Sequence, residues 1–180
     1  VALVPRGPWT WLCGSVSGRG RYVPSFVLDT TSGAFVRAGT FGWGTRPAFT
    51  SDGGRAAGVQ PTNFEPHAPL TLSLVDLTEK PPRMTTHQLS LSGGWARAVV
   101  LSPDGTRLAV LQREAVTVLS LDPPRSIAAL SLSPPDAVRQ IHFAGGDRLR
   151  AYRRLGGAAS TLPGEVEILG VGTVRMKDYT

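Results

Sequence analysis

The chain has 180 residues, 41% apolar and 18% charged, enough apolar surface for a core and too little charge for a wholly disordered chain. Its 21 glycines and 15 prolines interrupt the backbone too often for long helices and favour many short strands. The net charge of +6 comes from 19 basic residues, all but 2 of them arginine. They are scattered rather than run together, which reads as a solvated basic surface and not as a nucleic-acid or anionic-membrane tract. A single cysteine, Cys13, excludes an internal disulfide framework and a cysteine-based metal site. No apolar run reaches the length of a helical membrane span, and the chain as given shows no secretory signal pattern; its compartment stays open.

In chain order, strands are expected near 1–4, 9–13 and 22–29, with an outer strand near 34–41. The next group contains a long middle loop, Pro61–Pro69, too rich in proline for strand or helix and expected to be exposed; its outer strand is placed near Met84–Leu91. The most regular stretch follows, Val99–Asp122. Its apolar runs Val99–Leu101, Leu108–Leu111 and Val116–Leu121 are separated by Pro103-Asp104-Gly105 and Arg113-Glu114, and Ile127–Leu132 closes the group. Pro-Asp-Gly between apolar runs is turn chemistry: proline presets φ, aspartate bonds its own backbone and glycine accepts positive φ. The last group pairs Val138–Phe143 with Leu149–Tyr152, then Glu165–Val171 with Val174–Tyr179.

These groups repeat. The apolar residue before each first turn is Leu3, Phe49, Leu101 and Phe143, at spacings of 46, 52 and 42. Leu28, Val75, Leu119 and Leu169 mark a second landmark at spacings of 47, 44 and 50. Two landmarks in the same phase define four repeats, over residues 1–44, 45–93, 94–134 and 135–180. Val116–Leu121 is apolar on both faces, as a sheet packed between two neighbours requires.

On these residues the chain resembles the degenerate WD40-like and YVTN/TolB-like β-propeller repeats. Ser102-Pro103-Asp104-Gly105 with Arg107-Leu108-Ala109-Val110 is similar to the family's first hairpin. Val27–Gly33 and Leu74–Thr78 resemble its third-strand signature, with leucine or valine in the tryptophan slot. No Gly-His or Trp-Asp dipeptide occurs, and Ser120 and Gly170 replace the signature aspartate, so the Asp–His network of strict WD40 repeats is not carried over. The resemblance implies an all-β propeller of about four blades of four antiparallel strands, part of a larger ring. The alternatives are a self-contained four-bladed ring or two chains completing an eight-bladed one. An open arc is expected to expose apolar end faces that invite self-association.

Catalytic constellations are not found in the sequence. Gly14-Ser15-Val16-Ser17-Gly18 has valine where a nucleophile elbow needs serine, and His67, His87 and His142 form no metal-binding pair; no cofactor or metal is expected. Asp52 and Asp104 are accounted for by turn chemistry. Trp9, Trp11, Trp43 and Trp95 are expected mostly in blade packing, with Trp43, flanked by glycines, the most exposed. Arg148, Arg150, Arg153 and Arg154 form the one basic cluster, read either as a charged blade edge or as a contact for an acidic partner. The expected role is a non-catalytic scaffold that binds a protein partner of unknown identity, through Phe64, His67, Trp43 and these four arginines. The alternatives are the accessory propeller of a lactonase- or peptidase-type enzyme and a periplasmic TolB-like component.

Overall fold

The computed structural model describes residues 2–6, 9–13, 22–33, 35–42, 45, 47–62, 65, 68–79, 82–91, 94–132, 135, 138–144, 148–154, 161–168 and 174–178. Through most of the first sheet and the last strands of the fourth, it is the backbone that is described. The described residues form sixteen strands and no helix. They are β1 (Ala2–Arg6), β2 (Trp9–Cys13), β3 (Tyr22–Asp29), β4 (Phe35–Gly42), β5 (Ala48–Phe49), β6 (Arg55–Pro61), β7 (Leu70–Asp76) and β8 (Arg83–Leu89). The second half of the chain supplies β9 (Ala96–Leu101), β10 (Arg107–Gln112), β11 (Ala115–Leu121), β12 (Pro124–Ser131), β13 (Val138–Phe143), β14 (Arg148–Arg154), β15 (Thr161–Ile168) and β16 (Val174–Asp178). Consecutive strands pair antiparallel into four sheets of four, each a meander in sequence order.

The sheets stack in chain order. β4 lies against β6 and β7, β6 against β9, and β9 and β10 against β13. Alternation along a strand explains how the third sheet serves two neighbours at once. Leu108, Val110, Leu119 and Leu121 enter a core shared with Ala57, Val59, Leu70 and Leu72 of the second sheet. The intervening Ala109 and Leu111, with Val116 and Val118, enter a core shared with Val138, Ile141, Leu149 and Ala151 of the fourth. Both faces are dry, so the strands cannot alternate between apolar and polar. Fully burying one such leucine contributes about 1.5–3 kcal/mol.

The short turns show why the hairpins repeat so faithfully. In the second sheet Gly53 N–H donates to Thr50 O and Thr50 N–H to Arg55 O. In the third, Gly105 N–H donates to Ser102 O and Ser102 N–H to Arg107 O. Gly53 (φ 74°) and Gly105 (φ 69°) occupy the left-handed region, which an L side chain enters only at a cost. The aspartates complete each turn. Asp52 accepts from Gly54 N–H at 2.9 Å, and Asp104 from Thr106 N–H at 3.1 Å and from the Ser102 hydroxyl at 2.5 Å. Adjacent turns then touch: Ser51 Oγ donates to Pro103 O at 3.3 Å.

The two outward positions of β14 whose side chains are described do not meet the expectation of an apolar end face. Arg148 and Arg150 are exposed on its outward side. Nor are they on a blade edge, because β14 is hydrogen-bonded to β13 on one side and to β15 on the other.

Candidate functional site

Strand direction divides the stack into two ends. β6 and β10 leave the short turns at Arg55 and Arg107 and run to Pro61 and Gln112. One end therefore carries the tight turns, and the other carries the 61–69 segment and the entry to β9.

At the turn end a cavity of about 350 Å³ opens along the seam between the second and third sheets. Leu74, Leu101 and Leu121 are among its apolar lining and Arg55, Asp76 and Arg83 among its charged lining. These three are opposed in register on neighbouring strands, Arg55 to Asp76 and Asp76 to Arg83. Opposite charges directly across a ladder attract. Asp76 accepts from the Thr78 hydroxyl at 2.6 Å and from Thr78 N–H at 2.9 Å. Those bonds, the hydroxyl's first, hold its carboxyl below the ordinary aspartate range, with Arg55 adding to them. Asp52 is lowered chiefly by the Thr50 hydroxyl and then by Gly54 N–H, and Asp104 chiefly by the Ser102 hydroxyl and then by Thr106 N–H. Asp52, Asp76 and Asp104 are thus each engaged by their own turn, as the sequence reading of Asp52 and Asp104 anticipated.

The opposite end is built differently. Thr62 N–H donates to Pro69 O at 2.8 Å and Ala68 N–H to Glu65 O at 3.1 Å, closing the neck of the proline-rich loop. Trp95 donates its indole N–H to Glu65 O at 2.6 Å, yet 43% of its surface stays exposed. Beneath it, buried Gln112 donates from Nε2 to Gly94 O at 2.5 Å and accepts from the Thr117 hydroxyl at 3.3 Å. Gly94 (φ 78°) turns the chain so that Trp95 meets the loop.

Of the residues singled out from sequence, Phe64, His67 and Trp43 lie outside the described residues. Arg148 and Arg150 are exposed and sit two apart on one face of β14. Arg153 and Arg154 end β14, where the backbone pairs with Leu162 and Thr161 of β15. His142, half-buried on β13, sits opposite Arg150. Trp95 departs from the expected blade packing. The signal for it was in the repeat: Trp43 and Trp95 are 52 residues apart, as are Phe49 and Leu101, and Gln60 and Gln112. Among the described residues no group of three or more His, Cys, Asp or Glu side chains is placed to hold a metal ion.

Comparison with known proteins places the fold. No protein-family model matches the chain, and no curated protein matches it. Among solved structures, the β-propeller domain of the Trilobed protease from Pyrococcus furiosus, described as having an open velcro topology, superposes with a TM-score of 0.65 at 11% identity, over 99% of this chain and 57% of that one. TolB from Acinetobacter baumannii gives 0.58 at 16% identity, over 94% and 40%. The Cps50 (Swd1) β-propeller domain from Myceliophteria thermophila gives 0.56 at 11% identity, over 88% and 56%. The chain spans about half the length of these propellers. Its fold is that of a partial WD40/TolB-like β-propeller.

Proposed function

We propose that this propeller segment is a non-catalytic interaction module that binds a protein partner at the end of the strands carrying Trp95 and the 61–69 loop. The observation that carries the reading is the state of Trp95: its indole is fixed by the bond to Glu65 O at 2.6 Å while nearly half of the residue stays in water. An aromatic ring held in place before binding loses little entropy on contact, and such rings dominate the energetics of protein interfaces. Loops at the rim of a rigid scaffold are the usual seat of recognition. The test is affinity capture on the full-length protein, comparing wild type with Trp95→Ala and with Arg125→Glu, an exposed position near the other end. The reading expects one set of partners lost with Trp95→Ala and kept with Arg125→Glu. Equal recovery from all three would refute it.

A second reading makes the chain the accessory propeller of an enzyme. Its support is the likeness to the propeller of the Trilobed protease at a TM-score of 0.65. A periplasmic TolB-like component is favoured in the same way by the likeness to TolB. A hydrolase domain in the same reading frame would favour the enzyme; an export signal there would favour the TolB-like component.

A further inference from the structure

The second and third sheets present equivalent rungs to the sheet before them, so their side chains compare position by position. Residues 56, 58 and 60 of β6 stand 52 before 108, 110 and 112 of β10, and residues 73 and 75 of β7 stand 44 before 117 and 119 of β11. The register agrees. Ala56 opposes Val75 as Leu108 opposes Leu119, and Gly58 opposes Ser73 as Val110 opposes Thr117. On the third sheet these positions face the second; Leu108, Val110 and Leu119 lie in the core the two share. On the second sheet they face the first. They alternate with Ala57, Val59 and Leu72, which look the other way into that core. They are closed over where β4 lies against β6 and β7: Ala56 and Val75 are each 1% exposed and Ser73 2%.

At each of these rungs the second sheet carries the smaller side chains: alanine for leucine, glycine for valine, serine for threonine and valine for leucine. On the second sheet's side, closing this seam therefore takes less apolar surface out of water than the third sheet buries against the second, and the hydrophobic term scales with that area. The same strip holds an unmet polar group. Gln60 follows in phase on β6, and its Oε1 is buried with no hydrogen-bond partner among the described residues. Gln112, at the equivalent place, accepts from the Thr117 hydroxyl and donates to Gly94 O. A buried acceptor without a donor favours any state that returns it to water.

The link between the two sheets is short and its far end is fixed. β4 ends at Gly42, and Thr45 already belongs to the second sheet, its buried hydroxyl donating to Val59 O at 2.7 Å. We propose that the seam between the first and second sheets is where this stack parts, the first sheet swinging away as a unit while the other three stay packed. Local opening falls where buried apolar contact is least. What it uncovers on the second sheet is a strip of alanine, glycine and serine rather than a leucine core, so that face of the parted state offers little to aggregation. The next seam is held more firmly, because Ser51 and Arg55 of the second sheet donate to Pro103 O and Gly105 O of the third. The inference does not rest on the role proposed for Trp95.

The experiment uses the full chain with one cysteine added, as Ser73→Cys or, separately, Thr117→Cys, two buried hydroxyls at equivalent rungs. Maleimide labelling is followed in native buffer and at low urea. The labelled peptide is read by mass spectrometry, so that Cys13 stays in place. Urea unfolding gives the global stability of each variant, and rates are compared where these are equal. The proposal expects labelling at 73 to be faster than at 117 by about tenfold or more, since local opening is enough to expose it. It also expects a shallower urea dependence at 73, because parting one seam exposes less surface than unfolding the chain. Val75→Cys and Leu119→Cys repeat the comparison at the next rung, should either hydroxyl variant fail to fold. Equal rates, or a slope at 73 equal to that of global unfolding, would overturn the proposal: the first sheet would then be held as firmly as the rest. Faster labelling at 117 would overturn it in favour of the seam between the second and third sheets. Labelling at 73 at the rate of the unfolded chain would also overturn it, because no closed seam would exist to part.

Discussion

Gly105→Ala is the sharpest test of how neighbouring blades are locked. Gly105 has φ 69°, and a methyl group there would lie 2.8 Å from Thr50 Cγ2 of the preceding sheet and 3.5 Å from Arg55 Cδ. Thr50 cannot easily yield: it is buried, and its hydroxyl accepts from Arg55 N–H at 2.9 Å. The left-handed backbone costs about 1–2 kcal/mol for alanine, and overpacking adds about 1–3 kcal/mol. Gly33→Ala supplies the control, because Gly33 has φ 72° and nothing within 4 Å of the added methyl; it should bear the backbone cost alone. In a chain of this size the extra loss at Gly105 should lower Tm by roughly 2–4 °C per kcal/mol beyond the control. Thr50→Ser removes the clashing methyl, keeps the hydroxyl, and should recover most of that difference in the double variant. Thermal and urea unfolding of the four proteins measure it. Equal losses at Gly33 and Gly105, or no recovery with Thr50→Ser, would refute the interlock.

Three further outcomes are expected. Gln112→Leu strands Gly94 O and the Thr117 hydroxyl in a buried site and should cost about 1–3 kcal/mol in urea unfolding, part of it regained on adding Thr117→Val. The Asp104 carboxyl lies below the ordinary aspartate value because of the Ser102 hydroxyl and Thr106 N–H. Its stabilisation is therefore complete above the unfolded value of 3.8 and is lost as pH falls through the lower folded value. Wild type should then lose more Tm than Asp104→Asn between about pH 5 and pH 2, and a parallel fall in the two would count against this. Trp95→Phe deletes the bond to Glu65 O and should leave Tm nearly unchanged while speeding amide exchange in the 61–69 segment, read by mass spectrometry; unchanged exchange would show that the indole does not brace the loop.

What the sequence disclosed depends on how local the chemistry is. Pro103-Asp104-Gly105 and Thr50-Ser51-Asp52-Gly53 announce their turns because each hydrogen bond in them spans only a few residues, and the strand order follows from joining consecutive apolar runs by such turns. The doubly buried third sheet was also legible, since Val116–Leu121 shows no alternation. Gln112 was not: a polar residue ending an apolar run looks like a surface residue until Gly94 O, 18 positions earlier, is brought to its amide. Trp95 looked like core because aromatic residues usually are, and only the bond to Glu65 shows how it stays at the surface. The four arginines at 148–154 read as one cluster on a blade edge, yet β14 is an inner strand, paired with β13 on one side and β15 on the other. Strand position is a property of pairing, and pairing is absent from composition.

The two ends of the strands differ in what they have left to offer a partner. At the turn end, Asp52, Asp76 and Asp104 already accept hydrogen bonds from Gly54, Thr78, Ser102 and Thr106, so a ligand entering the nearby cavity would compete with bonds that hold the hairpins. Its lining also mixes guanidinium with carboxylate, Arg55 and Arg83 with Asp76, which cancels much of the field an ionic ligand would feel. At the loop end, the one bond to the Trp95 indole leaves its ring surface available, and nothing in the hairpins depends on it. Binding there need not break what folding made. Recognition thus falls to the parts of the chain that fold stability does not consume, and the turn end, with its engaged carboxylates, is left to hold the blades in register.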